Sequence, residues 1–330
     1  IEGEGVWHRI AVGVMRRPVT VAASGIIVLL AAGIPFFGVE FGVPDDRVLP
    51  EDNPARVASD ILRDEFTSAE SDAFPIVAVG SVDDAAVTTY ATTVSTLDGV
   101  ARVDAVNGRY VGGALVAPAD ETTARFAGDG ATWFNVVPNI EPISPEAETL
   151  IAEIRDLDSG FEETLVGGSS AALVDSKDAI FGLVPIAAAI IGVATFILLF
   201  LMFGSLLVPL KAIVLNTLSL TATFGLMVWV FQDGNGAGLL GFTATGLTDT
   251  TTPILMFCIA FGLSMDYEVF LISRIREEYD RTGDNDAAVA IGLERTGRIV
   301  TAAALLLSVT FFAFATSGIT FIKLFGLGLA

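Results

Sequence analysis

Six stretches of this chain carry almost no charge and are built from apolar residues, and their length constrains the fold more than anything else in the sequence. A helix rises 1.5 Å per residue, so about 20 apolar residues cross the hydrocarbon of a bilayer. The runs are 19–37, 181–203, 208–231, 251–272 and 299–315, with a sixth that begins near Phe321 and is cut off at Ala330. In lipid each backbone N–H and C=O must find its partner inside the segment, which leaves the helix as the structure for such runs. They raise the apolar share of the chain to 52%, above the about 45–50% of ordinary globular domains.

Between the first and second runs the composition inverts. Residues 40–178 hold 27 acidic and 8 basic side chains, so nearly all of the net charge of -21 resides there. An acidic surface of this kind argues against nucleic acid and against electrostatic attachment to anionic lipid. The segment reads as a soluble α/β domain. Asn53 with Pro54, and Ser144 with Pro145, are cap-and-first-turn pairs that open helices to about 66 and 157. Residues 84–98 also read as helix, while 74–80, 100–111, 131–138 and 164–166 read as extended. Alternating strands and helices predict a small sheet with helices on one face. The chain divides into a leader with a first span at 1–39, the acidic domain at 40–178, and the remaining spans at 179–330. A cleavable signal peptide is the competing reading of the start. The length of the apolar run and Ile1 in place of a start methionine speak against it, and something is expected to precede it.

Short loops rich in Lys and Arg stay on the cytoplasmic side. Arg9, Arg16 and Arg17 precede the first span, Lys211 lies between the second and third, and Arg274, Arg276, Arg281, Arg295 and Arg298 lie between the fourth and fifth. With that number of spans all these loops fall on one side. The acidic domain and the 232–249 loop, which has no Lys or Arg, then fall outside. Lys323 is the exception, and its long stem allows it to snorkel to an interface.

One cysteine, Cys258, and one histidine, His8, leave no disulfide framework, no CxxC metal site and no histidine cluster. The acidic domain offers carboxylates without a nucleophile–base motif, so an enzyme is the weakest reading. The chemistry-bearing residue is Asp266 in the fourth run. It precedes Arg274 by eight residues, which places it about 12 Å from the end of the span. A carboxylate at such depth costs about 2.5–3.5 kcal/mol to insert, so it is paired, hydrated or used. Two readings remain: a carboxylate bonded to a neighbouring helix, or a protonatable relay, the second preferred. Tyr267 points about 100° away from Asp266 and reaches a different neighbour. Glu268 reads as structural, pairing with an arginine. Gly262, one turn from Asp266, allows close approach of another helix. Ser264 and Thr301 are supporting candidates. Thr301, Ser308, Thr310, Asn216, Thr217 and Thr221 are expected to form hydrogen bonds between helices.

The stretch GLSMDYEVFLISRIREEYDRTGD, followed by GLERTGRIVTAAALLL, resembles the MMPL family (mycobacterial membrane protein, large) of the resistance–nodulation–division superfamily. The Gly167-Gly168-Ser169-Ser170-Ala171 segment leading through Asp175, and the MRRPV start of the first span, are similar too. The resemblance implies an α-helical polytopic membrane bundle, with one span plus five, the last truncated, and an inserted extracytoplasmic α/β porter domain. It implies the second of two homologous halves in the inner (plasma) membrane. There the Asp266 and Tyr267 pair would carry a proton relay with counterparts in the other half. The implied activity is export of lipid or another hydrophobic compound driven by the proton gradient, with no cofactor besides it. Implied partners are the N-terminal half and membrane lipids, with an oligomer or accessory envelope proteins as further options and no nucleic acid. This chain alone is not expected to transport. The alternatives are a non-transporting lipid or sterol sensor on the same architecture, and a protein-translocation accessory of the same superfamily.

Overall fold

The structure is a computed structural model that describes residues 5–43, 45–66, 70–80 and 83–330. Residues 1–4 of the leader, and 44, 67–69, 81 and 82 of the acidic domain, lie outside the described residues. Two compact units emerge, one from the stretches Ile1–Glu51 and Pro185–Ala330 and one from Asp52–Val184.

The first leg of the helical unit opens with α1 (Val6–Arg16), so the expected leader is itself helical. Trp7 and Ala11 recur at a spacing of four, and Ala11 is buried. Pro18 occupies the first turn of α2 (Pro18–Gly33), where its missing N–H is harmless. The helix tightens into a 3-10 turn at Ile34–Gly38 around Pro35, and a short strand β1 (Phe41–Gly42) follows.

The α/β unit begins with α3 (Pro54–Glu65), whose cap Asn53 accepts a hydrogen bond from the Ala55 amide at 3.0 Å. Then come β2 (Phe74–Val79), α4 (Asp84–Val94), β3 (Val100–Ala105), β4 (Gly108–Val111), β5 (Ala114–Pro118), β6 (Ala127–Gly128), β7 (Ala131–Pro138), α5 (Pro145–Asp156) and β8 (Glu163–Val166). The sheet runs β5-β4-β3-β7-β2-β8 with β6 beside β7, and its pairs are antiparallel. The expected extended run 100–111 is a hairpin. β5 was not anticipated, because Gly112 and Gly113, both at positive φ, turn the chain back after a short strand. Alternate residues of β2, Phe74, Ile76 and Ala78, point to the helix side. There they meet Phe134 and Val136 of β7, Val87, Tyr90, Ala91 and Val94 of α4, and Leu150, Ile151 and Ile154 of α5. The Tyr90 ring packs edge-on against Phe134 at 5.2 Å. Its hydroxyl has no partner among the described residues, and burial pushes its pKa up to about 12.

Helix α6 (Ser169–Phe203) starts twelve residues before the apolar run at 181. Its first turns belong to the α/β unit. The Ser170 hydroxyl donates to the Pro142 carbonyl at 2.7 Å, and Ala171 and Leu173 are buried. The remaining elements are α7 (Leu207–Met227), which ends in a π turn at Val228–Gln232, then α8 (Ala237–Leu240), β9 (Thr248–Asp249), α9 (Thr252–Thr282), α10 (Asn285–Ala315) and α11 (Thr320–Leu329). α2 crosses α7 where Gly225 meets the backbone of Ala32 and Gly33, a contact closed to any side chain. Gln232 ties this end together. Its Oε1 accepts from the Glu40 amide and the Thr248 hydroxyl, and its Nε2 donates to the Gly38 carbonyl. With β1 paired in parallel to β9, residues 40–51 pack in the helical unit, so the compact units divide at 51/52 and 184/185.

The charged stretch 274–298 is helical through most of its length. α9 continues to Thr282, Gly283 turns the chain at φ 67, and Asp284 caps α10 through the amides of Asp286 and Ala287. The buried carboxylate of Glu278 holds the hairpin closed by accepting from Arg281 of α9 and Arg295 of α10. α1 lies on α10, with the Trp7 ring over Gly297 and His8 Nδ1 3.2 Å from Glu294. Lys323 does not snorkel. It is buried, and its ammonium donates to the Leu240 and Gly241 carbonyls at the end of α8, groups the helix itself leaves open. Among the described residues, five helices are long and apolar enough to cross a membrane: Pro18–Gly38, Ser169–Phe203, Leu207–Gln232, Thr252–Thr282 and Asn285–Ala315. α11 is apolar but shorter, at 10 residues.

Candidate functional site

Helix α9 carries the site. Its start is fixed by Asp249, whose Oδ2 accepts from the Thr251 amide at 3.2 Å, the Thr252 amide at 2.7 Å and the Thr252 hydroxyl at 2.6 Å. A carboxylate there also complements the positive end of the helix dipole. Asp266 follows Thr252 by fourteen residues, about 21 Å along the axis.

Two faces of α9 are packed. Met256 joins Phe231 and Leu324. Met265, with Phe261 and Val269, joins Leu199 of α6 and Ala212 of α7. Between these faces, from Thr251 to Asp266, a stripe is open. Thr251, Leu255, Cys258, Gly262 and Asp266 fall within about 80° of one another on the helix, and all five are exposed. Among the described residues, no atom beyond the helix's own nearby backbone lies within 4 Å of where a Gly262 Cβ would sit, so none of them makes the close approach that a glycine permits. Asp266 shows neither a hydrogen bond nor an ion pair among the described residues. An apolar crevice of about 580 Å³ opens at the start of the same stripe, lined by Leu255, Phe314, Phe321, Ile322 and Phe325, with Asp249, Thr251 and Thr252 at its polar edge.

The neighbours of Asp266 diverge around the helix. Tyr267 is half-buried, a different setting from its exposed neighbour. Glu268 is half-buried, and no arginine pairs with it among the described residues. Ser264 is exposed on another side. The Thr301 hydroxyl closes on its own helix, donating to the Gly297 carbonyl at 2.6 Å. Thr217, Thr221 and Thr310 do the same to Ile213, Thr217 and Leu306. This corrects the expectation of bonds between helices: a hydroxyl finds the carbonyl four residues back without any neighbour. Ser308 alone of these reaches another element, at the Ala330 carbonyl. Asn216 is buried, four residues beyond Ala212 on the face of α7 turned to α9, and both its side-chain polar atoms lack partners among the described residues.

Among the described residues, no group of three or more His, Cys, Asp or Glu side chains is arranged to hold a metal ion. Sequence reasoning missed Asp249, Glu278 and Gln232. The Asp-Thr-Thr-Thr-Pro run at 249–253 and the i,i+3 spacing of Glu278 and Arg281 are signals for the first two. Gln232 has none, because two of its three partners are backbone groups about 190 residues away and the third, the Thr248 hydroxyl, lies across the loop that follows.

The model of the MMPL family matches residues 47–330. The chain belongs to the MMPL family. A membrane protein of Streptomyces coelicolor is 38% identical over 99% of this chain and 43% of its own length. Trehalose monomycolate exporter MmpL3 of Mycolicibacterium smegmatis is 31% identical over 98% of this chain and 32% of its own. Heme uptake protein MmpL11 of Mycobacterium tuberculosis is 34% identical over 62% of this chain and 22% of its own. The chain therefore spans less than half the length of these relatives. The two that are named for an activity are transporters, not enzymes. With its apolar helices, this MMPL chain is part of a multi-pass membrane protein.

Proposed function

We propose that this chain is the second half of a transporter driven by the proton gradient across the inner membrane, with Asp266 as the group that takes up and releases the proton. One observation carries the reading: among the described residues Asp266 stands exposed and unpaired on an open stripe of a membrane helix, beside the open Gly262. Left facing lipid, that carboxylate would cost several kcal/mol. A second half packed on the stripe gives it a partner and an aqueous path. Tyr267 positions the partner carboxylate, while Gly262 admits the partner helix. Ser264, Glu268 and Thr301 support the α9 surface. The N-terminal end and the α9–α10 turn lie in the cytoplasm and the α/β unit lies outside.

The cargo we propose is a lipid or similarly hydrophobic compound, moved outward. The apolar crevice on the same stripe and the export activity for which MmpL3 is named support this; the name of MmpL11 shows that a relative can carry another hydrophobic cargo inward. The test compares cell-surface hydrophobic extracts, by mass spectrometry, from strains carrying the full-length gene, its deletion, or Asp266→Asn. The substitution should match the deletion, as should wild type treated with a protonophore. A wild-type profile from Asp266→Asn overturns the proton role.

A further inference from the structure

The chain that leaves α2 is fastened to three helix ends before it enters the α/β unit. At the end of α7 the π turn Val228–Gln232 sets the Gln232 carboxamide against it, bonded at once to Gly38, Glu40 and Thr248. At the start of α9 the Thr248 amide donates to the Glu40 carbonyl at 2.7 Å and the Thr250 amide to the Gly42 carbonyl at 3.2 Å. At the start of α11 the Thr320 hydroxyl donates to the Val48 carbonyl at 3.3 Å, and a Cβ on Gly318 would lie 2.9 Å from Pro50.

The middle fastening is a built joint. Strands of two residues hold little by themselves, and β1 and β9 are separated in sequence by the whole α/β unit and two spans. What holds them is a buried amide delivered by a π turn, a rare element found mostly at functional positions. Gln232 is 8%, Thr248 6% and Thr250 4% exposed, so water scarcely competes for these bonds. β9 also leads straight into α9, because Asp249 of the strand is the group that bonds the Thr251 and Thr252 amides. The one proline of α9 lies in its first turn, so no proline kinks the helix between Thr252 and Asp266. A shift of α9 at Asp266 therefore arrives at β9 as a displacement of one body.

We infer that Gln232 is a positioning residue for transport: it holds β1 on β9 so that α9 and the segment leading to α3 move together, and the joint stays closed throughout the cycle. The inference rests on the proton reading of Asp266 above. The α/β unit has two connections to the spans in this chain. One is α6 itself, and the joint makes the other answer to α9. A displacement of α9 against α6 then acts on the two connections unequally, which converts a change of charge at Asp266 into a change in the outer domain.

The test uses the full-length protein. Gln232→Met keeps the length of the side chain and removes its three hydrogen bonds. Export should fall to the level of the deletion strain, while the protonated-carboxyl infrared band assigned through Asp266→Asn still appears as pH falls. Export at the wild-type rate overturns the inference, and so does loss of the band together with export from a folded variant, which marks a structural role only. Hydrogen exchange supplies an arm that does not depend on that variant folding. The Thr248 and Thr250 amides should be equally protected in wild type and in Asp266→Asn, whose side chain carries the neutral charge of the protonated form. Lost protection in either means that the joint opens, and overturns the inference. A wild-type protein without the Asp266 band removes the proton reading itself. A band that is present beside wild-type export by Gln232→Met removes only the joint.

Discussion

Replacing Glu278 by alanine should open the turn between α9 and α10, with a cost that the geometry sets. The carboxylate is 5% exposed and accepts from Arg281 at 3.0 and 2.7 Å and from Arg295 across the hairpin. A hydrogen bond to a charged group contributes about 1.5–3 kcal/mol when buried. The guanidiniums are 59% and 49% exposed, so solvent takes back roughly half of that, leaving on the order of 2–3 kcal/mol for the two partners together. At about 2 °C per kcal/mol for a chain of this size, the apparent melting temperature should fall by roughly 4–6 °C. The assay is thermal unfolding of the detergent-purified protein at one fixed scan rate, because such unfolding is kinetically controlled. Arg295→Ala should cost less than half as much, since Glu278 keeps Arg281. An unchanged melting temperature for Glu278→Ala would refute the clamp.

Four further substitutions have measurable outcomes. Tyr90→Phe removes a buried hydroxyl without a partner and should stabilise the α/β unit by about 1 kcal/mol, read as a higher midpoint in denaturant. Because the Tyr90 pKa in the folded state is raised to about 12, its stability is fully present below about 10 and falls as pH rises toward 12; Tyr90→Phe should abolish that loss. Phe134→Ala empties a fully buried site against Tyr90 and should cost about 3–5 kcal/mol. Glycine-to-alanine changes within a helix normally stabilise by up to about 1 kcal/mol. Gly225→Ala should do the reverse, because its Cβ would strike the Ala32 backbone, and Gly262→Leu should leave the fold of this half intact yet disrupt assembly of the full-length protein, read by size-exclusion profile and transport.

The spans, the acidic insertion and the caps Asn53 and Ser144 were legible because each depends on residues close together in sequence. Hydropathy locates the runs, yet it hides where helices begin and end. α6 starts at Ser169 because its first turns bury Ala171 and Leu173 in the α/β core, a tertiary demand no local window shows. Likewise, the charges of 274–298 suggested a loop, since the Glu278–Arg295 pairing that makes them a helical hairpin spans 17 positions. Lys323 misled for a similar reason: its acceptors are carbonyls of residues 240 and 241, and backbone acceptors leave no mark in composition. Asp266 stood out from sequence alone because a carboxylate at lipid depth is costly wherever it occurs. Its exposure on an open stripe required coordinates.

The most direct measurement of the proton role is pH-difference infrared spectroscopy of the full-length protein in lipid, with Asp266→Asn as reference. Proton exchange at this residue predicts a protonated-carboxyl band that appears as pH falls, vanishes in Asp266→Asn, and moves when a transported hydrophobic compound is added. The same pH-difference spectrum from wild type and Asp266→Asn would contradict it.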